Sequence, residues 1–195
     1  RSGIAPERAA EVAAAALEAG LLVDGVFTFP GHSYGSGAAA LAAGDEAVAL
    51  ATSRGALVAA GIPCPVVSGG STPSARAADS GVLTELRPGV YLFGDAQQWE
   101  LGTIDPAAIA LTAHATVVSR REGVAVVDAG SKILGADRAG YASGYGRLLD
   151  FPDARITALS EHHATITFPP DAVVPALGTV LRVVPNHVCN AVNLV

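Results

Sequence analysis

The chain has 195 residues, of which 50% are hydrophobic and only 15% are charged, a composition typical of a globular protein. Its 12 basic and 18 acidic residues give a formal net charge of -6, which argues against nucleic acid or an anionic membrane as a partner, because either requires a positively charged surface. No apolar run approaches the ~20 residues of a membrane span, and no signal-peptide pattern is present. Together with only two cysteines, which suit a reducing compartment, these features predict a cytoplasmic protein.

The sequence contains no methionine and a single lysine, Lys132. Because residue 1 is not a translation start, we expect the sequence to be an excerpt of a longer chain. Chemistry that needs an active-site amine has only this one candidate. Since Lys132 falls in the β-rich part of the sequence, we interpret it as a surface or structural lysine.

Helical and strand-like segments alternate over residues 1–95 and are joined by short glycine-bearing loops, which predicts an α/β fold with a parallel sheet and right-handed crossovers. The first helix has a proline in its first turn and a glycine at its end. The second helix is rich in alanine, with an interruption expected near Gly44. The predicted helices cover residues 4–20, 37–60 and 74–79, and the predicted strands cover residues 21–29, 65–68, 82–86 and 90–93.

After residue 95 the pattern changes to strand-like stretches separated by turns, without a long helix. We therefore predict two domains, a partial β/α barrel over residues 1–95 and a β-rich domain over residues 96–195. The strands of the second domain are predicted at residues 109–119, 124–128, 155–160, 164–168, 179–184 and 187–195.

Two glycine-bearing loops are candidates for binding a phosphate. The loop 68–73 contains Gly69, Gly70, Ser71 and Thr72 between a predicted strand and a predicted helix. Glycines let backbone N–H groups approach an anion, hydroxyls add donors, and a helix N-terminus adds partial positive charge. A second loop around Gly89 follows about twenty residues later, and successive loops of this kind form the phosphate site of many β/α barrels. The alternative is that both are ordinary tight turns.

His187 and Cys189 are candidate metal ligands. They lie two positions apart in a predicted strand, where residues i and i+2 project to the same face. An imidazole with a thiolate favours Zn²⁺, and two protein ligands leave positions open for substrate or water. The alternative is a buried structural pair.

Two further side chains are candidates for catalysis. His163, in the segment Glu161–His163, is a possible base or ligand, or else belongs to a polar strand end that faces solvent. Tyr34 follows the first predicted strand, at the end where barrel enzymes carry catalytic groups, and the alternative is a half-buried tyrosine in a turn. We interpret Cys64, between two prolines, as a small buried hydrophobic residue.

Seven motifs, taken together and in this order, resemble the D-serine dehydratase and D-threonine aldolase family, a branch of the alanine racemase-like pyridoxal-phosphate enzymes of fold type III. The resemblance covers nearly the whole chain. It implies the C-terminal half of a β/α barrel that carries the cofactor, followed by a β-rich domain that carries the metal. The motifs are Arg-Ser-Gly-Ile, Gly-His-Ser-Tyr, Ser-Gly-Gly-Ser-Thr-Pro-Ser, Glu-Leu-Arg-Pro-Gly-Val-Tyr, Val-Asp-Ala-Gly-Ser-Lys, Ser-Glu-His-His and Pro-Asn-His-Val-Cys.

The resemblance also implies roles for individual residues. Tyr34 would approach the pyridine nitrogen of pyridoxal 5′-phosphate, with Arg87 as the other candidate, and Arg1 would approach the ring hydroxyl. His187 and Cys189 would hold Zn²⁺ or Mn²⁺ beside the substrate. The cofactor phosphate would contact Gly69, Gly70, Ser71, Thr72 and the backbone of Gly89, Val90 and Tyr91.

This chain departs from the family at two places. The family usually shows Ser-Glu-Glu-His-Gly where this chain has Ser-Glu-His-His-Ala, which puts the role of His163 in doubt. The family's Schiff-base lysine is expected upstream of residue 1.

The implied activity is that of a lyase on D-β-hydroxy amino acids, either D-serine dehydration or D-threonine aldol cleavage. The full-length protein is expected to be a homodimer that binds a small D-amino acid, and the 195-residue excerpt alone is expected to be inactive. The alternatives are a metal-free racemase of the same fold and a non-catalytic pyridoxal-phosphate-binding protein.

Overall fold

The computed structural model describes residues 3–194. The chain divides into two compact units, of which the first ends at Gly89 and the second begins at Val90. Among the described residues, no helix is both long enough and apolar enough to cross a membrane. Each unit has its own architecture and its own core.

The first unit packs two helices against a small parallel sheet whose strand order is β1-β2-β3. Val26 of the first strand pairs with Val67 of the second, and Ser68 pairs with Glu85 of the third. The first and third strands are shorter than predicted. The elements are α1 (Ala9–Glu18), β1 (Gly25–Phe27), α2 (Ala39–Ala59), β2 (Val66–Gly69) and β3 (Glu85–Leu86).

The core of the first unit lies between α2 and the sheet. Leu50 and Leu57 of α2 pack with Val67 of β2, and all three are almost fully buried. Cys64 belongs to the same cluster, so its prediction as a small buried residue is confirmed. The interruption expected near Gly44 is absent, because α2 is continuous from Ala39 to Ala59.

Two glycines of the first unit should respond in opposite ways to replacement by alanine. A Cβ on Gly44 meets open space, so Gly44→Ala should raise the free energy of unfolding by about 0.5–1 kcal/mol through the better helix propensity of alanine. A Cβ on Gly25 would lie 1.8 Å from the carbonyl oxygen of Val66, so Gly25→Ala should lower it by about 1–3 kcal/mol. Urea unfolding of both variants measures the difference, and equal shifts would contradict it.

The second unit is built on a six-stranded antiparallel sheet with strand order β6-β9-β4-β5-β8-β7. The backbone N–H of Tyr145 donates to the carbonyl of Ile156 at 2.9 Å, which links the ends of the two edge strands and nearly closes the sheet into a barrel. The elements are α3 (Ala96–Glu100), β4 (Ala113–Arg121), β5 (Val124–Val127), α4 (Ser131–Leu134), β6 (Gly146–Leu148), β7 (Arg155–Leu159), β8 (Ala164–Thr167), β9 (Val180–Pro185) and α5 (Val188–Asn193).

Inward-facing residues of this sheet form the larger core of the molecule. They alternate along the strands, as in β5, where Ala125 and Val127 are buried. The buried set also contains Ala115, Val117, Leu148, Ile156, Ala164, Ile166, Leu181 and Val183.

Two predicted strands are wrong. Residues 90–93 form a 3₁₀ turn, in which the carbonyl of Val90 accepts the N–H groups of Phe93 and Gly94. Residues 188–193 form α5, whose first N–H group, on Val188, donates to a carboxylate oxygen of Asp95 at 3.2 Å. The helix predicted over residues 74–79 is only the 3₁₀ turn Ala75–Ala77.

Candidate functional site

The loop after β2 is held by a chain of buried hydroxyls. The Oγ of Ser71 lies 2.8 Å from the Oγ of Ser33 and 2.8 Å from the Oγ of Ser74. The backbone N–H of Ser71 also donates to the Oγ of Ser74, at 3.1 Å. The structure therefore brings together the Gly-Ser loop, residues 68–73, and the turn at residues 31–35. The two segments were considered as separate motifs in the sequence.

The helical contribution that was predicted for this loop is not present. The loop leads into the three-residue turn Ala75–Ala77, which is too short to build up a helix dipole. Any phosphate on the loop would depend on backbone N–H groups and hydroxyls. Thr72, at the half-exposed end of the loop, carries such a hydroxyl.

Glu46 is a buried residue of this region that the sequence analysis missed. Its side chain lies on α2 and is only 3% exposed. Oε1 accepts the backbone N–H of Gly70 at 2.8 Å, whereas Oε2 is a buried atom without a hydrogen-bond partner among the described residues. Burial raises the pKa of Glu46, and the hydrogen bond from Gly70 opposes that effect only in part.

The two glycines of the loop are explained by packing within the first unit. A Cβ on Gly69 would lie 2.7 Å from Oε1 of Glu46, and a Cβ on Gly70 would lie 2.2 Å from a methyl group of Leu86. Gly70 also has a φ of +91°, which disfavours other residues. Gly70 is therefore favoured by its backbone conformation whether or not a phosphate binds, whereas a Cβ on Gly69 would require the end of the Glu46 side chain to move.

Arg87 is hydrogen-bonded to residues at the ends of the parallel strands. It donates to the Oγ of Ser68 at 2.6 Å and to the carbonyl of Thr28 at 2.6 Å. Its guanidinium also lies 5.5 Å from the ring centre of Phe27, and Ser68 in turn donates to the Glu85 carboxylate. These contacts leave Arg87 bound to its own unit.

The other predicted cofactor contacts are distributed over both units. Tyr34 is half-buried, with its ring 6.1 Å from that of Phe29. Gly89 is exposed at the end of the first unit, and Val90 and Tyr91, buried and exposed respectively, begin the second. Arg1 lies outside the described residues.

In the second unit, His187 is held by a carboxylate. Its Nδ1 lies 2.7 Å from an oxygen of Asp137, and because a carboxylate accepts hydrogen bonds, Nδ1 carries the hydrogen. The neutral tautomer then has its lone pair on Nε2, which is the arrangement of metal-binding histidines that are oriented by a carboxylate. His187 precedes α5 in an extended conformation.

Cys189 lies in the first turn of α5, so the argument that it shares a strand face with His187 does not apply. The Asp95 carboxylate anchors this turn by accepting the N–H of Val188, and it also accepts the N–H of Gln98 at 2.8 Å. Partial burial of the thiol and the charge of Asp95 raise the pKa of Cys189. A divalent cation would have to displace the thiol proton in order to bind.

The donor set of this segment fits a metal with few protein ligands. Nitrogen from His187 and sulfur from Cys189 suit Zn²⁺. The carboxylate of Asp137 accepts the hydrogen bond of His187, as the outer partner of a metal-binding histidine usually does. Over residues 3–194, no group of three or more His, Cys, Asp or Glu side chains is arranged to hold a metal ion.

The two other residues of the second unit that were singled out are on its surface. His163 is exposed in the turn between β7 and β8, where its carbonyl accepts the N–H of Ser160 at 2.9 Å. Lys132 is also exposed and lies 2.7 Å from Glu161, so its interpretation as a surface lysine is confirmed.

Comparison with known proteins gives the family. The alanine racemase N-terminal domain model matches residues 1–97, and the serine dehydratase domain model matches residues 110–195. The chain belongs to the D-serine dehydratase and D-threonine aldolase family. The predicted fold class, an alanine racemase-like β/α barrel portion followed by a β-rich domain, is confirmed.

Two named enzymes of this family are particularly similar to the chain. D-threo-3-hydroxyaspartate dehydratase from Delftia sp. is 36% identical in an alignment 195 positions long, which covers 88% of this chain and 51% of that enzyme. Its solved structure matches with a TM-score of 0.89 at 32% identity, over 100% of this chain and 58% of that one. D-threonine aldolase from Filomicrobium marinum matches with a TM-score of 0.80 at 30% identity, over 95% and 52%.

An uncharacterized protein of Mycobacterium tuberculosis is 62% identical over 109 residues, which cover 53% of this chain and 82% of that protein. This chain spans about half the length of the family's named enzymes that it matches. The named relatives include a D-threo-3-hydroxyaspartate dehydratase, a D-threonine aldolase and a D-serine dehydratase. By these names they are lyases that act on D-amino acids.

Proposed function

We propose that this chain carries cofactor-binding and metal-binding parts of a lyase that uses pyridoxal 5′-phosphate and a divalent metal to act on D-β-hydroxy amino acids. The observation that carries the proposal is the hydrogen bond of His187 to Asp137, with Cys189 two positions further along a chain that is 36% identical to a D-threo-3-hydroxyaspartate dehydratase. Dehydration of a D-β-hydroxy amino acid such as D-serine is the reaction we favour.

Support for the metal comes from the donor set and from a relative. One solved structure of a D-threo-3-hydroxyaspartate dehydratase is that of a cysteine-to-alanine mutant in the metal-free form. In this chain we assign His187 and Cys189 as the ligands. A bound Zn²⁺ or Mn²⁺ would polarise the β-hydroxyl of the substrate and ease its departure.

Support for the cofactor comes from the loop after β2 and its hydroxyls. We assign Gly69, Gly70, Ser71 and Thr72 to the phosphate, together with the backbone of Gly89, Val90 and Tyr91. The cofactor, when bound, supplies an electron sink for the bonds at Cα. Tyr34 is our candidate for contact with the pyridine nitrogen. We prefer it to Arg87, because Arg87 already donates hydrogen bonds to Ser68 and Thr28.

The roles of the protein side chains follow from this assignment. His187 and Cys189 would hold the metal, and Asp137 fixes the ring of His187 through its hydrogen bond to Nδ1. His163, exposed on the same unit, stays a candidate base or ligand, in a segment where this chain departs from the family's usual sequence. Arg1 is assigned to the ring hydroxyl of the cofactor.

The proposal is tested on the natural protein that carries this sequence. Assayed with D-serine, D-threonine and D-threo-3-hydroxyaspartate, it should release ammonia and a keto acid, or an aldehyde and glycine. Removal of metal by a chelator should lower turnover at least tenfold, since a bound metal would supply Lewis-acid assistance of several kcal/mol, and added Zn²⁺ or Mn²⁺ should restore turnover. Full turnover without metal, particularly racemisation, would contradict the proposal. The 195-residue chain assayed alone should show no turnover.

A further inference from the structure

The start of α5 is the part of the second unit where both proposed metal ligands lie. His187 is the residue that precedes the helix, and Cys189 is the second residue of the helix. The residue before a helix commonly caps it, because its side chain accepts one of the first free N–H groups. The ring of His187 bonds instead to Asp137, at 2.7 Å. The helix therefore needs a cap from another segment.

Asp95 provides this cap from a distant part of the sequence. Its side chain is buried at 1% exposure, and Oδ2 accepts the N–H of Val188, the residue between the two ligands, at 3.2 Å. The other oxygen, Oδ1, accepts the N–H of Gln98 at 2.8 Å and so caps α3. One buried carboxylate therefore holds the first turns of two helices together.

The peptide group on the other side of His187 is also fixed. The carbonyl of Asn186 accepts the N–H of Gln97, in the first turn of α3, at 3.2 Å. The buried side chain of Asn186 donates to the carbonyl of Asp137 at 3.1 Å. This second bond holds the backbone of Asp137 close to that of His187 without involving Asp95.

The turn that carries Cys189 depends more strongly on Asp95. The helix α5 has only six residues, and so short a helix is marginal unless tertiary contacts stabilise it. If the buried N–H of Val188 loses its acceptor, an unsatisfied donor remains and the first turn is destabilised. Cys189 then spends less time in its present conformation, and the affinity for a metal falls by the fraction of time for which the binding conformation is populated.

We propose that Asp95 is a positioning residue of the metal site, which fixes the turn carrying Cys189 in its binding conformation before the metal arrives by accepting the N–H of Val188. The inference rests on the proposed function, which assigns His187 and Cys189 as ligands. Both oxygens of Asp95 accept backbone N–H groups, so Asp95 acts through Cys189 and not as a ligand.

The test titrates Co²⁺ alone into the 195-residue chain at neutral pH. Co²⁺ belongs to the same series of divalent metals as Zn²⁺, and a bound thiolate gives it a sulfur-to-metal charge-transfer absorption that reports the Cys189 ligand directly. The variant Asp95→Asn keeps the size of the side chain but replaces one acceptor oxygen by an amino group, which cannot accept an N–H. Cys189→Ser gives the spectrum without the sulfur ligand.

Two control variants separate positioning from general effects. Asp105→Asn makes the same chemical change at the cap of the 3₁₀ turn Pro106–Ala108, where the carboxylate accepts the N–H of Ala107 at 2.8 Å. Ile166→Ala opens a cavity in the core of the same unit and shows what a loss of stability alone does. Circular dichroism and Tm of every variant measure folding and stability.

Asp95→Asn should bind Co²⁺ at least about tenfold more weakly than the wild type, the usual loss when a residue that supports a ligand is removed. The charge-transfer absorption per bound Co²⁺ should fall toward that of Cys189→Ser. Asp105→Asn and Ile166→Ala should each bind within about twofold of the wild type and keep the full absorption, because both changes lie away from the ligands.

Hydrogen exchange of the wild type gives a result that needs no variant. Because Asp95 fixes the turn before the metal arrives, the N–H of Val188 should already be protected from exchange in the metal-free chain. Rapid exchange of this N–H without metal, with protection only after Zn²⁺ is added, would mean that the metal orders the turn and would overturn the role of Asp95.

The remaining outcomes distinguish this inference from the proposed function. If Asp95→Asn keeps the affinity and the absorption of the wild type, or if Ile166→Ala loses as much affinity, Asp95 has no positioning role and the metal site stands. If the wild type binds no Co²⁺, or binds it without the charge-transfer absorption, Cys189 is not a ligand, and the proposed metal site fails together with the inference.

Discussion

Replacing Glu100 by Gln should lower the free energy of unfolding by about 3–5 kcal/mol, because it leaves Arg147 as a buried charge without its counter-charge. The two side chains are 11% and 9% exposed, and their nearest charged atoms are 3.0 Å apart. Arg147 also lies over the ring of Trp99 at 4.1 Å and donates to the carbonyl of Pro152 at 2.6 Å. The buried Nε of Arg147 has no hydrogen-bond partner among the described residues. No further contact of that atom therefore offsets the loss of the Glu100 charge.

The pH dependence of this pair has a defined sign. Burial acts to raise the pKa of Glu100, but hydrogen bonds from Ser143 and Arg147 outweigh it and hold the pKa below its usual value of 4.5. A carboxyl group whose pKa is lowered by folding contributes stability above its unfolded pKa, and the contribution is lost as the pH falls through the folded pKa. The difference between wild type and variant should therefore be largest at neutral pH and should shrink below pH 4.5.

Urea unfolding at pH 7 and pH 3 measures this effect. The matched control is Glu161→Gln, which breaks an ion pair with Lys132 whose side chains are 71% and 56% exposed. That change should cost at most about 1 kcal/mol, since exposed pairs are screened by water. Similar losses from both variants would contradict a special role for the buried pair.

Replacing Asp137 by Ala should weaken Zn²⁺ or Mn²⁺ binding by 10–100-fold, the usual effect of losing the outer partner of a metal-binding histidine. The hydrogen bond of 2.7 Å from His187 fixes both the ring orientation and the tautomer that leaves Nε2 free. Asp137→Asn, which keeps an acceptor oxygen and loses the charge, should give an intermediate affinity. Isothermal titration of each metal into the 195-residue chain provides the measurement.

The controls distinguish the metal ligand His187 from Asp137, which positions it. Asp171→Ala, at an exposed turn of the same unit, should bind metal like the wild type, and His187→Ala should abolish binding. If Asp137→Ala binds within twofold of the wild type while His187→Ala does not bind, the carboxylate has no positioning role. If the wild type itself binds no metal, the assignment of the ligands is wrong.

Much of the fold could be predicted from local patterns. The helix at Ala9–Glu18 follows from the proline and acids before it and the glycine after it. The strands β5 and β8 were located to within a residue or two, because β5 is a short continuous apolar run and apolar residues alternate with threonine in β8. In these segments the local preference and the tertiary environment agree.

The errors occur where distant contacts decide the conformation. Residues 187–195 contain Val188 and Val192 and have the composition of a strand, but the Asp95 carboxylate, far away in the sequence, accepts an N–H at the start of a helix there. At residues 90–93, the carbonyl of Phe93 accepts the N–H of Ala110 at 2.7 Å, which is likewise a contact from outside the segment. Periodicity over four to eight residues does not contain this information.

The residues of the candidate site also fall into those that local sequence patterns indicate and those that only the structure identifies. The Gly-Ser loop and the His-x-Cys pair were visible as local motifs, whereas Asp137 stands in an irregular segment and has no local signal. Glu46 did have one. It lies four residues after Ala42 and four before Leu50, on the buried face of α2, where a carboxyl group is unexpected.

The position of β9 in its sheet has a consequence for folding kinetics. The hairpins β4–β5 and β7–β8 join neighbours in sequence, but β9 enters between β6 and β4, where Val183 pairs with Ala113 and Leu148. Closing such long loops is slow, so we expect β9 to insert after the hairpins have formed. Because His187 and Cys189 follow β9 directly, capture of Zn²⁺ by the refolding chain should coincide with the last cooperative step and so give a kinetic signal of completed assembly.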